Sequence, residues 1–172
     1  MKNILVPTDF TTNCLDHASF AARQISGKCN IHLFHAFDMP GSLMDAIGRS
    51  GIRNHSRLIT EELRVRCKRA KSEQTNIANI FFRIMYGTTI YAFKNYIEAH
   101  DIDLLYIPEG YAFRPVVRES MDPTVWFRKS GLRVLEVQGG ARPADVQEAQ
   151  DMPRMEPQLA NALNYVRNAS ER

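Results

Sequence analysis

The chain has 172 residues, 44% hydrophobic and 24% charged, with a formal net charge of +3 at pH 7. That length suits one domain, in which roughly 70% of the unfolded surface is buried on folding, and so mild a charge does not by itself imply nucleic acid or a membrane surface. Cys14, Cys29 and Cys67 are odd in number and lack metal-ligand spacing, which fits free thiols in a reducing compartment rather than a disulfide framework.

No charged-then-apolar leader stands ahead of the first apolar run, and no run reaches membrane length. The expectation is a cytoplasmic protein without membrane attachment, in which the sequons at Asn54 and Asn168 carry no meaning.

Ile4-Leu-Val6 opens the chain as a short strand that stops at Pro7, with Thr8 and Asp9 after it. Ligands of open α/β sheets settle outside the carboxyl ends of the strands, so Asp9 is a binding candidate; as an alternative it caps the first helix. That helix runs from Asn13 to Ser26, with Leu15, Ala18, Ala22 and Ile25 at helical spacing and Gly27 as its stop. Ile31 to Phe37 is a second strand, broken by Met39-Pro-Gly-Ser42. A helix from about Asn54 to Ser72 follows, lined by Ile59, Leu63, Cys67 and Ala70.

Ile80 to Tyr86 reads as a third strand closed by Gly87, and Thr89 to His100 as a helix burying Ala92, Phe93, Tyr96 and Ile97. Leu104 to Ile107 is a continuous apolar run, as buried parallel strands are. Asp122-Pro123 looks like an N-cap with proline at the first helical position, ahead of a short helix burying Val125 and Trp126 and stopped by Gly131. Leu132 to Val137 is the fifth strand. Strands alternating with helices imply parallel βαβ units with right-handed crossovers. The expected domain covers 1–138: a five-stranded parallel open sheet with helices on both faces, Rossmann-like. A linker at 139–157 and an amphipathic C-terminal helix at 158–172, with Leu159, Leu163 and Val166 on one face, complete the chain.

The order and the local words together resemble the universal stress protein family. Lys2 to Phe10 is similar to that family's opening strand and acidic residue, and Ile31 to Phe37 to its second strand, which often carries a histidine near the end. Met85-Tyr-Gly87, the helix to His100 and Asp101 to Leu105 are similar to its third strand, third helix and fourth strand. Members that bind ATP carry a glycine pattern after the fourth strand, because glycines let backbone N–H groups approach phosphates at a helix N-terminus. This chain departs from it. Pro108 stands where the first glycine belongs and has no N–H to donate, Tyr111 stands near the second, and Glu119 precedes Ser120 where the last belongs.

The resemblance therefore implies a crevice lined by Thr8, Asp9, Ala36, Phe37, Gly110 and Ser120 that takes ATP weakly or not at all. Arg114 and Arg118 offer charge-assisted contacts to an anion as an alternative to the backbone cradle, or are solvated and paired with Glu109 and Glu119.

His32 and His35 differ in strand parity and so face opposite sides, which keeps them from sharing a metal. His17, His55 and His100 have no close partner in sequence and read as structural or surface residues. The basic stretch from Arg49 to Lys71 is interrupted by Glu61 and Glu62 and contains no aromatic for base stacking, so it reads as a solvated face rather than a nucleic-acid site. The expected function is a non-enzymatic, homodimeric regulatory or stress-response module with a degenerate nucleotide site, no catalytic residues, no metal and no resident cofactor. The dimer would form through Leu132–Val137 and the C-terminal helix; an additional protein partner is left open. One alternative is an ATP-binding member with slow hydrolysis, and another a nucleic-acid-associated protein using the basic helix.

Overall fold

The computed structural model describes residues 1–38 and 55–136. The chain divides into two units, Met1–Gly139 and Gly140–Arg172, and all described residues belong to the first. The expected linker at 139–157, the C-terminal helix at 158–172, Val137, and Arg49 and Arg53 in the second connection lie outside the described residues.

Five strands run parallel: β1 (Lys2–Pro7), β2 (Cys29–Phe37), β3 (Ile77–Tyr86), β4 (Leu104–Ile107) and, last in the chain, β6 (Val134–Glu136). Their order across the sheet is β3-β2-β1-β4-β6, which reverses direction between β1 and β4. The expected parallel α/β sheet is therefore present. The fifth parallel strand is shorter than Leu132–Val137, because Gly131 (φ +88) and the residues up to Arg133 are spent on the turn out of the preceding helix. An additional two-residue strand, β5 (Ser120–Met121), pairs antiparallel with β2 and was not anticipated.

The helices follow from caps and periodicity. The first, α1, spans Cys14–Arg23, ending three residues ahead of the expected Ser26, and Gly27 (φ +89) serves the turn behind it. The expected helix from Asn54 is two elements, a 3-10 turn at His55–Leu58 and α2 at Glu61–Glu73. Thr60 separates them: its extended backbone starts the helix and its hydroxyl accepts the Leu63 N–H at 3.2 Å. Thr89 caps α3 (Ile90–Ala99) in the same way, accepting from Ala92 N–H at 3.1 Å. A short α4 (Thr124–Lys129) follows Asp122, whose Oδ1 accepts from both N and Oγ1 of Thr124.

Strand alternation sends side chains into two cores. Ile4, Val6, Ile31 and Leu33 pack with Ala18 and Ala22 of α1 and Leu63 and Cys67 of α2. On the opposite face Leu5, Phe34 and Leu105 pack with Phe93 and Ile97 of α3 and with Trp126 and Phe127 of α4. The two halves of the chain thus cover opposite faces, as the order of crossovers requires. Burial on the last helix differs from expectation at one position. Trp126 and Phe127 are buried while Val125 is 49% exposed, since one stripe of so short a helix reaches the core. In α3 Phe93 and Ile97 are buried, and Ala92 and Tyr96 are partly exposed at the rim of the stripe.

Candidate functional site

The reversal of strand order between β1 and β4 places the ligand crevice of this fold class at the carboxyl end of β1. There β1 stops at Pro7, opposite Phe34, while β2 continues to Phe37. Beyond Pro7 the flank of β2 is taken by β5, with Ala36 opposite Met121 and Phe37 opposite Ser120. The Asp38 N–H donates to the Glu119 carbonyl at 2.7 Å and extends this pairing by one bond. A segment from after β4 thus straps the end of the crevice.

His35 is the centre of the strap and is 1% exposed. Its Nδ1 lies 2.5 Å from the Thr8 carbonyl oxygen and its Nε2 3.0 Å from Ser120 Oγ. A carbonyl can only accept, so Nδ1 carries the proton, and neutral Nε2 accepts the Ser120 hydroxyl proton. Ser120 Oγ also accepts the N–H groups of Val116 and Val117, each at 3.1 Å. Its donor and both lone pairs are then engaged. Burial pushes the His35 pKa below its usual value, against the Thr8 carbonyl and the Asp9 charge, which favour the charged form; His55 opposes it.

Aromatic rings close around the imidazole. Phe10, Phe37 and Phe113 have ring centroids 5.1, 4.6 and 6.4 Å from that of His35. The His55 ring stacks on Phe37 at 3.8 Å with 12° between planes, and its Nδ1 lies 3.1 Å from the Tyr86 hydroxyl. Phe10 holds a left-handed backbone, φ +60, and donates its N–H to Thr8 Oγ1 at 2.9 Å. For a bulky residue that conformation costs on the order of 1–3 kcal/mol and persists only where the surroundings impose it.

Of the residues singled out in the sequence, Thr8, Phe37 and Ser120 come together around His35, whereas the Ala36 side chain packs in the core on the opposite face of the sheet. Ala36 and Phe37 are fully buried, so neither is an open lining. Asp9 follows Thr8 and is half-buried; its Oδ1 accepts from Thr11 N–H at 3.0 Å and from Thr11 Oγ1 at 2.6 Å. The carboxylate therefore caps the turn ahead of α1, whose own N-cap residue, Asn13, makes no side-chain bond. Gly110 stands apart, in an exposed turn where the Tyr111 N–H donates to the Pro108 carbonyl at 3.1 Å. Its φ of +64 is what the turn requires, and a Cβ there would meet no protein atom within 4 Å. Arg114 and Arg118 are exposed on the segment leading into β5.

Sequence reasoning did not identify His35, Phe10 and His55 as members of one site. A signal for the first was present: a histidine two residues from Phe37 on the same face of an otherwise apolar strand needs a polar partner when buried.

A hydroxyl beside an imidazole is also the pattern of an activated nucleophile. Here the oxygen already accepts two backbone N–H groups and the imidazole is enclosed, so the pair works as a structural tie. Cys14 is no better placed to react, since burial pushes its thiol up to about 12 despite a hydrogen bond with Thr8. His32 faces the other side of the sheet, its Nδ1 accepting from Arg83 Nε at 3.2 Å, so it shares no ligand with His35. Among the described residues no group of three or more His, Cys, Asp or Glu is placed to hold a metal ion.

The basic helix is similarly engaged. Arg66 pairs with Glu62 and Arg69 with Glu73 one turn away, Lys71 donates to Asn79, and the Arg64 guanidinium lies 5.8 Å from the centre of the Phe82 ring.

No family model matches the chain. No curated protein matches it either. Solved structures do. The universal stress protein UspA from Lactobacillus plantarum aligns at 17% identity over 80% of this chain and 97% of its own, with a TM-score of 0.53. A protein from the universal stress protein family of Burkholderia pseudomallei aligns at 17% identity over 79% of this chain and 95% of its own, with a TM-score of 0.42. A universal stress protein in complex with cAMP gives 17% identity, 80% and 97% coverage and a TM-score of 0.44. The first of these carries the comparison, and at that identity it speaks for the architecture. The fold is a parallel α/β sheet of the Rossmann-like class. Within that class it is the fold of the universal stress proteins, as the resemblance of the sequence words implied.

Proposed function

We propose that this protein is a universal-stress-protein-like regulatory or stress-response module, non-enzymatic and homodimeric, whose nucleotide crevice is filled by its own chain. The single observation that carries the reading is the pairing of β5 with the end of β2, tied by Ser120 to His35, at the place where a ligand of this fold class would enter. Two further features support it. Pro108 has no N–H to offer phosphates, and the Phe37 ring is already stacked by His55. The resulting module takes ATP weakly or not at all and acts through its surfaces.

The homodimer reading rests on β6. It is an edge strand, pairing among the described residues with β4 alone, and a free edge with unspent donors and acceptors favours pairing with another strand. Glu136 is already paired with Arg128 of its own chain at 3.3 Å, so it is not reserved for a contact across a twofold axis. The reading is tested by the nucleotide content of the protein as purified, from the absorbance ratio and mass spectrometry. Stoichiometric adenine nucleotide would overturn it in favour of an ATP-binding member with slow hydrolysis.

A further inference from the structure

We propose that His35 and Ser120 form an acid-released latch, which holds the β5 strap over the crevice at neutral pH and frees it when the imidazole gains a second proton. The inference rests on the self-filled crevice just described and assigns its regulation.

The geometry carries the argument. Nδ1 is committed as a donor to the Thr8 carbonyl, so the only site for another proton is Nε2, the atom that accepts from Ser120. Once Nε2 carries hydrogen, it points a donor at an oxygen that already accepts Val116 and Val117 N–H and has no lone pair left. The hydroxyl proton has lost its acceptor as well. One protonation thus sets donor against donor at the single contact joining Ser120 to His35, on a buried imidazole walled by Phe10 and Phe37.

The ionisable groups acting on His35 are Asp9 on the β1–α1 connection and His55 on the 3-10 turn, and Glu119 is the neighbour of Ser120 in the strap. Tyr86 of β3 stands behind His55. Asp9 favours the imidazolium and His55 disfavours it, while burial, the largest influence, keeps the closed form neutral. In the opened strap the imidazole regains its ordinary basicity, so closing expels a proton. The closed form then loses ground as pH falls below the ordinary histidine value of about 6.5, by up to about tenfold per pH unit.

The test is amide hydrogen exchange followed by NMR on the full chain at about pH 7.5 and about pH 5, expressed as protection relative to the intrinsic rate at each pH. The reporters are the amides of Val116 and Val117, held by Ser120 Oγ, and of Asp38, held by Glu119. Protection should fall at the acid pH, by no more than about tenfold per pH unit below about 6.5, while the amides of Ile4 to Val6 in the sheet stay protected. In His35→Gln, which cannot titrate, the acid step should vanish. Where that variant does not fold, Ser120→Ala supplies the second arm, with low protection at Val116 and Val117 at both pH values. Equal protection at both pH values in the natural chain, or an acid step that survives in either variant, overturns the latch. Calorimetry with Mg-ATP at neutral pH is run beside it. Tight binding there overturns the self-filled crevice, whereas a missing acid step with no ATP binding overturns only the latch.

Discussion

His35 and Ser120 stand 85 residues apart in sequence and meet through a 3.0 Å contact between Nε2 and Oγ. That contact, beside the backbone pairing of β5 with β2, ties the end of β2 to a segment that follows β4.

Mg-ATP should bind no more tightly than about 0.1 mM, a dissociation free energy near 5.5 kcal/mol. Pro108 has no N–H to offer a phosphate, and the Phe37 ring is already covered by His55. Isothermal titration at neutral pH measures this directly, and micromolar affinity would contradict it.

Replacing Ser120 by Ala removes one oxygen and leaves His35 Nε2 and the N–H groups of Val116 and Val117 without it. Depriving one buried imidazole nitrogen and two half-buried N–H groups of their partner costs about 1–3 kcal/mol, water recovering part of the loss at the two amides. Urea denaturation should show a midpoint lowered accordingly with an unchanged slope. Ser120→Thr, which keeps the oxygen, should lose less.

Stability should fall in acid for a second reason, on the other face of the sheet. Burial, Arg83 and His100 hold the His32 pKa down to about 4. The folded state prefers neutral imidazole, so this stabilisation is fully present above the unfolded value of about 6.5 and is lost as pH falls from there toward 4. His32→Leu should flatten that limb of the stability curve. It also removes a buried Nε2 that has no hydrogen-bond partner, so the variant should be no less stable than the natural chain near pH 5. Denaturation midpoints at half-unit pH steps give the comparison.

Light scattering at micromolar concentration should report twice the chain mass. Leu105 donates to Arg133, and this register turns the Leu135 N–H toward β4 and those of Val134 and Glu136 to the open side. Glu136→Pro removes one outward donor and spares the inner ladder, so it should yield a folded monomer. A natural chain that is monomeric across this range would end the dimer reading.

Binding of DNA or RNA to the basic helix should be weak and should collapse as salt rises, because phosphate contacts alone are driven by counterion release. The intrahelical pairs at Arg66 and Arg69 already use part of that charge. Sequence-selective binding that persists at physiological salt, measured by fluorescence anisotropy, would refute this.

The sequence by itself determined the sheet, because strand and helix periods are local properties. Ile4 to Val6 and Leu104 to Ile107 read as buried runs wherever they sit, and Thr89 opens a helix with an atom three residues away, whereas the cap at Thr60 is hidden inside a longer helical run. It also brought Thr8, Phe37 and Ser120 to one end of the sheet, through the resemblance to a known strand order. Only the tertiary structure decided what they do together. Whether Ser120 faces an open crevice or a histidine depends on β5 crossing to β2, and two residues carry no periodic signal. The roles of His35, His55 and Phe10 were hidden for the same reason. A buried histidine is defined by its partners, and these come from the β1–α1 connection and from the strap beyond β4, brought together by the fold.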